Sequence, residues 1–151
     1  MSAQWLSPGE ATVALASDHA ALEMRAAIAK HLSGRGYDVL DLGTNTIASV
    51  DYSDYGNAIA AAVTDGRAAV GVALCGSGIG ISIAINRHAG ARGALCYDDI
   101  TARLSRQHNN ANILVLGARI ISLAVALSAV DTFIETAFEG GRHVSRVEKL
   151  G

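Results

Sequence analysis

Short apolar runs alternate along the chain with segments whose apolar residues recur at helical spacing. Residues 12–16 (TVALA) read as a buried strand. After it, Asp18 can cap a helix whose Met24, Ile28 and Leu32 recur every four residues. Gly34 and Gly36 end that helix. Residues 37–42 (YDVLDL) form the second predicted strand, and a polar loop follows through Asp51. A helix over 55–64 is closed by Gly66. Residues 69–75 (AVGVALC) are apolar throughout, as befits a strand buried on both faces, and run into Gly76-Ser77-Gly78-Ile79-Gly80 and a helix reaching Arg87. Residues 91–96 and 112–116 are the remaining strands, separated by a helix through Gln107. Ser122 then caps a long helix with Leu123, Leu127, Val130 and Ile134 on one face. Five strands alternating with five helices predict an α/β fold: a three-layer, Rossmann-like sandwich with a five-stranded parallel sheet and helices on both faces. Residues 11–151 read as a single domain, preceded by an extension over 1–10 that Trp5 and Leu6 tack onto the body.

Composition narrows the classes of partner. Of the 151 residues, 50% are hydrophobic and 17% charged, which is too apolar and too weakly charged for disorder. No apolar stretch approaches the roughly 20 residues of a spanning helix, and no basic-then-apolar segment opens the chain. A net charge of −2 carries no basic stripe for nucleic acid. Cys75 and Cys96 lie far apart with no CxxC pair, which predicts reduced thiols and a cytoplasmic protein. The scarcity of charge predicts that some surface is buried against another subunit.

Ligands of open α/β sheets bind beyond the carboxyl ends of the strands, and that rule selects the candidate chemistry. The strand ends deliver Ser17-Asp18-His19, Cys75 with its glycine loop, Tyr97-Asp98-Asp99 and Gly117-Ala118-Arg119; the loop after the second strand carries Asp51-Tyr52. Asp18 can equally be a helix cap alone, and Asp98 and Asp99 read as caps and macrodipole partners. Gly76, Gly78 and Gly80 let successive N–H groups point into one concavity at a helix N-terminus, a nest for an anion or a developing oxyanion. The alternative is that they serve only close helix–strand packing. Neither the Walker pattern nor the dinucleotide GxGxxG spacing is present. Cys75 is either an inert core thiol or, beside helix-terminal amides, a thiolate able to act as nucleophile or base. Cys96 reads as core. Arg142 and Arg146, four apart with His143 between them, form either a phosphate grip or a basic tail that complements the preceding helix.

Taken together, Ser17-Asp18-His19, Asp51-Tyr52, CGSGIGIS from Cys75, LSRQHN from Leu104, Gly117-Ala118-Arg119 and GGRH from Gly140 resemble the type B ribose-5-phosphate isomerases. That family also contains the allose- and galactose-6-phosphate isomerases, and the resemblance spans about residues 11–148. It implies interconversion of aldose and ketose phosphates through an enediolate, without metal or other cofactor. The five histidines form no HxxxH, HExxH or carboxylate cluster in the sequence, in keeping with that. By motif position, the resemblance makes Cys75 the base that moves the proton between C2 and C1. The amides of the 76–80 loop would hold the enediolate oxygen. His108, with Asp18 and Ser77, would open the furanose ring, and Asn109 would bond to substrate oxygens. Arg142, His143 and Arg146, with His19 and Arg119, would bind the phosphate, and Tyr52 would line the sugar pocket.

Two departures refine the match. One branch of the family replaces the cysteine with a glutamate just after the glycine loop; Ile81 stands at that position here, so the chain sides with the cysteine type. Ser77 stands where other members carry threonine. His108 falls between a helix and the following strand, on the amino-end side of the sheet, and cannot reach its own Cys75. The resemblance, whose family shares its sites across dimers, then implies that His108 and Asn109, and with them the 142–146 segment, enter a partner's site in a homodimer or a dimer of dimers. Hexose or tetrose phosphates, and a non-catalytic sugar-phosphate sensor, are the competing readings.

Overall fold

The computed structural model describes residues 5–151. Residues 1–4 of the expected extension lie outside the described residues. Five strands form one parallel sheet: β1 (Thr12–Ser17), β2 (Asp38–Asp41), β3 (Val70–Cys75), β4 (Gly93–Leu95) and β5 (Ile113–Gly117), in the order β2-β1-β3-β5-β4. The helices are α1 (Leu22–Gly34), α2 (Tyr52–Thr64), α3 (Ile79–Asn86), α4 (Asp99–Asn109), α5 (Leu123–Glu135) and α6 (Val144–Glu148), with 3₁₀ turns at His19–Ala21 and Gly141–His143. The expected α/β sandwich is therefore observed.

Alternation along the strands sends each residue type to its own layer. Val13, Leu15, Val72, Leu74, Leu114 and Leu116 face α1, α4 and α5, where Ile28, Leu32, Ala102, Val130 and Phe133 complete the core. The opposite face, under α2 and α3, carries Ala14, Ala16, Ala73, Cys75, Ile113 and Val115. The small residues of β1 and β3 let α2 lie close to the sheet. Gly56 brings α2 close to α3: a Cβ there would meet that of Ala84 at 2.9 Å.

Several boundaries differ from the sequence expectation. α2 begins at Tyr52 rather than at residue 55, because nothing in YSD opposes the helix once Asp51 is extended at its N-cap. β2 and β4 are shorter than predicted, as suits the two edge strands of the sheet. The C-terminal basic segment adds a sixth helix, split between a 3₁₀ turn and α6. On α5 the inner face is Ala126, Ala129, Val130, Phe133 and Ile134; Leu123, expected on that face, is 44% exposed at the first turn. Trp5 and Leu6 do dock on the body: Leu6 is buried, and the Trp5 indole N–H donates to the Phe133 carbonyl at 3.2 Å. Among the described residues no helix is long and apolar enough to cross a membrane.

Two of the predicted caps form as expected, while Asp99 lies inside the first turn of α4 and pairs with Arg103 at 3.6 Å. Ser122 Oγ accepts the Val125 amide at 3.2 Å, and Asp98 Oδ1 accepts the Thr101 amide at 2.8 Å. Hydrogen bonds from the Thr101 amide, then from its hydroxyl, hold the Asp98 carboxyl below the usual carboxylate range. A carboxyl lowered on folding stabilises the fold above its unfolded pKa, and that contribution is lost as pH falls through the lower folded value. Asp98→Ala should therefore lower Tm at pH 7, and the gap to wild type should close in acid, below pH 3.8. Thermal unfolding of both proteins across pH 2–7 (an interval of about five units around the carboxylate range) checks this; a gap independent of pH would refute the charged cap.

Candidate active site

β3 ends at Cys75, and the chain leaves through Gly76, Ser77 and Gly78 into α3. Cys75 is 4% exposed, and its Sγ accepts the Gly78 amide at 3.1 Å. Such a bond is stronger to a thiolate than to a thiol. Gly78 lies at φ +81°, and a Cβ there would sit 2.5 Å from Leu95 Cδ1 and 3.1 Å from the Leu116 carbonyl. Glycine alone lets the backbone turn there and return an amide to the preceding sulfur. The expected nest of successive amides is thus modified. Gly78 N–H goes to Cys75, and Ile79 N–H goes to Ser77 Oγ at 3.2 Å. The amides of Ser77 and Gly80 have no backbone acceptor among the described residues, the state of the first donors of a helix.

The neighbouring strands bring the other groups to this point. β3 and β5 pair with Cys75 opposite Gly117, and the chain after β5 donates Ala118 N–H to the Cys75 carbonyl and Arg119 N–H to the Gly76 carbonyl, both at 2.9 Å. The Arg119 side chain consequently lies over Gly76, where a Cβ would approach its Nη1 to 3.1 Å. Asp18, at the end of β1, is 5% exposed; its Oδ1 accepts the Ala20 amide at 3.0 Å, so it caps the 3₁₀ turn at His19–Ala21 rather than α1 itself, whose N-cap Ala21 has no side-chain cap, and the residue also lines the pocket. His19 Nδ1 accepts the Val50 amide at 3.1 Å. A backbone N–H can only donate, so the neutral ring carries its proton on Nε2. Tyr52 opens α2 with its ring against Gly80, where a Cβ would be 2.5 Å from the ring's Cζ. Asp18, His19, Tyr52, Cys75, Ser77 and Arg119 thus surround a hollow of about 350 Å³. A second hollow of about 440 Å³ shares His19 and continues past Met24, Ile47 and Leu123.

The remaining candidates are elsewhere. His108 and Asn109 occupy the last turn of α4, roughly 15 Å of helix from its N-terminus, and neither lines the hollow around Cys75. Asn109 borders a different hollow, beside Asn86, Arg92 and Leu150. His143 is buried and stacks on His108, with ring centroids 4.4 Å apart and planes 14° from parallel. Burial first, then the nearby His108, Arg142 and Arg146, push the His143 imidazole below its ordinary pKa, against an opposing pull from Glu139. Arg142 and Arg146 are exposed and form no ion pair among the described residues. The fold also corrects the reading that the histidines form no cluster with a carboxylate. His108, Glu139 and His143 place ligand atoms within 4.8 Å of one another, from positions too distant in sequence for any spacing motif. The near-parallel imidazoles direct their in-plane lone pairs along separate planes, so a shared metal would require a ring to turn.

Two arginines were not singled out by sequence reasoning. Arg25 of α1 is buried; it donates to Ser17 Oγ at 2.6 Å, to the Thr44 carbonyl and to Asn45 Oδ1 at 3.2 Å, and pairs with Asp41 at 3.2 Å. It ties the residue before Asp18 to the loop after β2. The signal was available: Arg25, Ile28 and Leu32 share one helical face, so a charge sits in the apolar stripe. Arg106, in the last turn of α4, is 2% exposed and hydrogen-bonds to carbonyls and Asn110.

A doubly wound sheet with a cysteine, an amide-bearing turn, polar side chains and an arginine at its carboxyl edge has the makings of an aldose–ketose isomerase site. The comparisons give that class directly: residues 13–150 match the model of the Ribose/Galactose Isomerase family. The chain is 41% identical over 138 residues to ribose-5-phosphate isomerase B of Escherichia coli K12, covering 91% of this chain and 93% of that protein. Among solved structures, ribose-5-phosphate isomerase B of Clostridium thermocellum superposes with a TM-score of 0.91 at 46% identity, over 93% of this chain and 95% of that one. The Thermotoga maritima ribose 5-phosphate isomerase also gives 0.91, at 47% identity over 93% and 97%. This chain belongs to the ribose/galactose isomerase family, and it is an isomerase.

The two thiols should separate by reactivity. Burial raises the Cys96 thiol above its ordinary pKa, and its Sγ–H points to the Ala94 carbonyl at 3.5 Å. A raised pKa leaves less thiolate at neutral pH, so iodoacetamide should modify Cys75 first and abolish activity, with Cys96 labelled only after unfolding. Peptide mass spectrometry against residual activity checks this; native labelling at Cys96 ahead of Cys75 would refute it.

Proposed function

We propose that this protein interconverts ribose 5-phosphate and ribulose 5-phosphate, with Cys75 as the base. The observation that carries the proposal is the Cys75 sulfur at the floor of the pocket, bonded to the Gly78 amide. Its thiolate takes the proton from C2 of the open-chain aldose, and the electron pair forms the C1–C2 double bond of an enediolate. The charge moves to O1, beside the amides of Ser77 and Gly80 at the start of α3. A proton passes from O2 to O1, and the Cys75 thiol returns its proton to C1, giving the ketose. No electron leaves the sugar, so no redox cofactor is called for. Ring opening, which precedes this, needs an acid and a base at the furanose; Asp18 serves on one side and His108 on the other. A reducing cytosol keeps the thiol available.

His108 reaches the sugar from a second subunit. Ile79 and Ile83 of α3, Tyr97, and Ile100 and Leu104 of α4 are 41–58% exposed around the β4 edge, an apolar face suited to a second copy. Pairing through that face would bring the end of α4 to the neighbour's pocket. Arg142 and Arg146 would come with it to meet the phosphate, joined by Arg119 and His19 of the pocket. His143, whose imidazole is held below its ordinary pKa by burial and the nearby His108, Arg142 and Arg146, packs against His108.

Cys75→Ala and His108→Ala should each lose activity, and mixing them should restore part of it, since half of the mixed sites contain both residues. If subunits exchange and nothing returns, the shared site is wrong. Turnover of ribose 5-phosphate should exceed that of allose 6-phosphate and erythrose 4-phosphate, and EDTA should not alter it. A preference for either other sugar would overturn the substrate, and loss of turnover in EDTA the metal-free chemistry.

A further inference from the structure

Trp5 precedes the segment that matches the family, yet three contacts fix it, half-buried, against the core. Its indole N–H donates to the Phe133 carbonyl at 3.2 Å, and its ring meets the Phe133 ring edge-on, with centroids 6.4 Å apart at 76°. Its face lies 3.4 Å from the Arg106 guanidinium carbon. Arg106 is almost wholly buried and has no carboxylate partner among the described residues. Beside hydrogen bonds to neighbouring oxygens and the more distant Phe133 ring at 5.7 Å, the negative face of the indole compensates this desolvated cation, and cation–π attraction strengthens when water is excluded.

Arg106 in turn holds the end of α4. Its Nε donates to the Thr136 carbonyl at 3.0 Å, and its Nη1 donates to Asn110 Oδ1 at 3.0 Å and to the Ala111 carbonyl. Asn110, at φ 46°, is the left-handed residue that ends α4, and Thr136 is the residue after α5. His108 and Asn109 lie between Arg106 and Asn110. The chain from Thr136 leads to Glu139, whose amide donates to the Gln107 carbonyl at 3.1 Å, and on to His143 under the His108 ring. Both imidazoles therefore hang from backbone that Arg106 anchors.

We propose that Trp5 is a positioning residue: by seating Arg106, it fixes the α4 terminus from which His108 enters the neighbouring subunit's pocket. The inference rests on the shared-site reading above, and mixed dimers separate the two. In the first mixture, a Trp5→Ala/Cys75→Ala chain is combined with a His108→Ala chain, so the one complete site uses the His108 that has lost its Trp5. In the second, a Cys75→Ala chain is combined with a Trp5→Ala/His108→Ala chain, so the complete site uses a His108 whose own Trp5 is intact. Relative to mixtures with both tryptophans, the first should lose kcat by about tenfold, the scale of a small misplacement of a reacting group, with little change in KM. The second should be unaffected. A general loss of stability would lower both alike, and equal values in the two mixtures would overturn the proposal. Trp5→Phe, which keeps an aromatic face but not the indole N–H, should give a smaller loss in the first arrangement only. If the control mixture of Cys75→Ala with His108→Ala regains nothing, the shared site fails by itself. The role of Trp5 is then decided by the imidazole NMR signals of His108 and His143, which Trp5→Ala should shift; unmoved signals would overturn it.

Discussion

At the end of β5, a side chain on Gly117 would place its Cβ 2.4 Å from the Ser77 carbonyl oxygen and 2.7 Å from the Ser77 carbonyl carbon. That contact is backbone against backbone, so no rotamer change could relieve it. It exists because β3 and β5 are neighbours in register, Cys75 beside Gly117, and because both strands release their chains toward the same point. The bonds from Ala118 and Arg119 back to the Cys75 and Gly76 carbonyls complete the junction. The Cys75 side of the pocket depends on this approach. It sets the turn at Gly78, which sends an amide to the sulfur, and it lays Arg119 across Gly76.

A second constraint keeps the pocket's polar wall in place. Asp18 and His19 follow directly from Ser17, whose hydroxyl Arg25 holds. Gly43 lies where a Cβ would fall 1.9 Å from Arg25 Nη1, so the loop after β2 is built around the guanidinium. The same loop continues toward Val50, whose amide orients His19. A buried cation thus organises one wall of the pocket without entering it. Arg106 has the corresponding position at the far end of the molecule, beneath His108. In both cases a desolvated guanidinium with several fixed donors locks irregular backbone that packing alone would leave loose.

This division explains what was legible in the sequence. The strands announced themselves by apolar runs, the helices by spacing and by Asp98 and Ser122, and the pocket by the rule that ligands sit at carboxyl ends. Cys75, Gly78 and Gly80 were identifiable because turn chemistry and nucleophile lie in one short motif. What escaped were contacts between distant segments. No local pattern joins Trp5 to Arg106 or His108 to His143. Leu123 misled for a related reason: its spacing suits the inner face of α5, but at the first turn the helix has not yet reached the core and the side chain borders the second hollow instead. Arg25 was readable as a charge in an apolar stripe, but only the fold shows that it serves the residues on either side of Asp18.

The chain's few charges also divide by task. Arg25, Arg35, Arg67 and Arg103 face carboxylates. Arg119, Arg142 and Arg146 have none among the described residues, although Asp and Glu together outnumber Lys and Arg, 14 to 12. If, as proposed, these three bind the phosphate, a carboxylate beside any of them would have to be displaced, and the Coulombic gain of binding would be cut by the pair that was broken. Left unpaired and in water, each can meet a dianion at the cost of its own hydration alone.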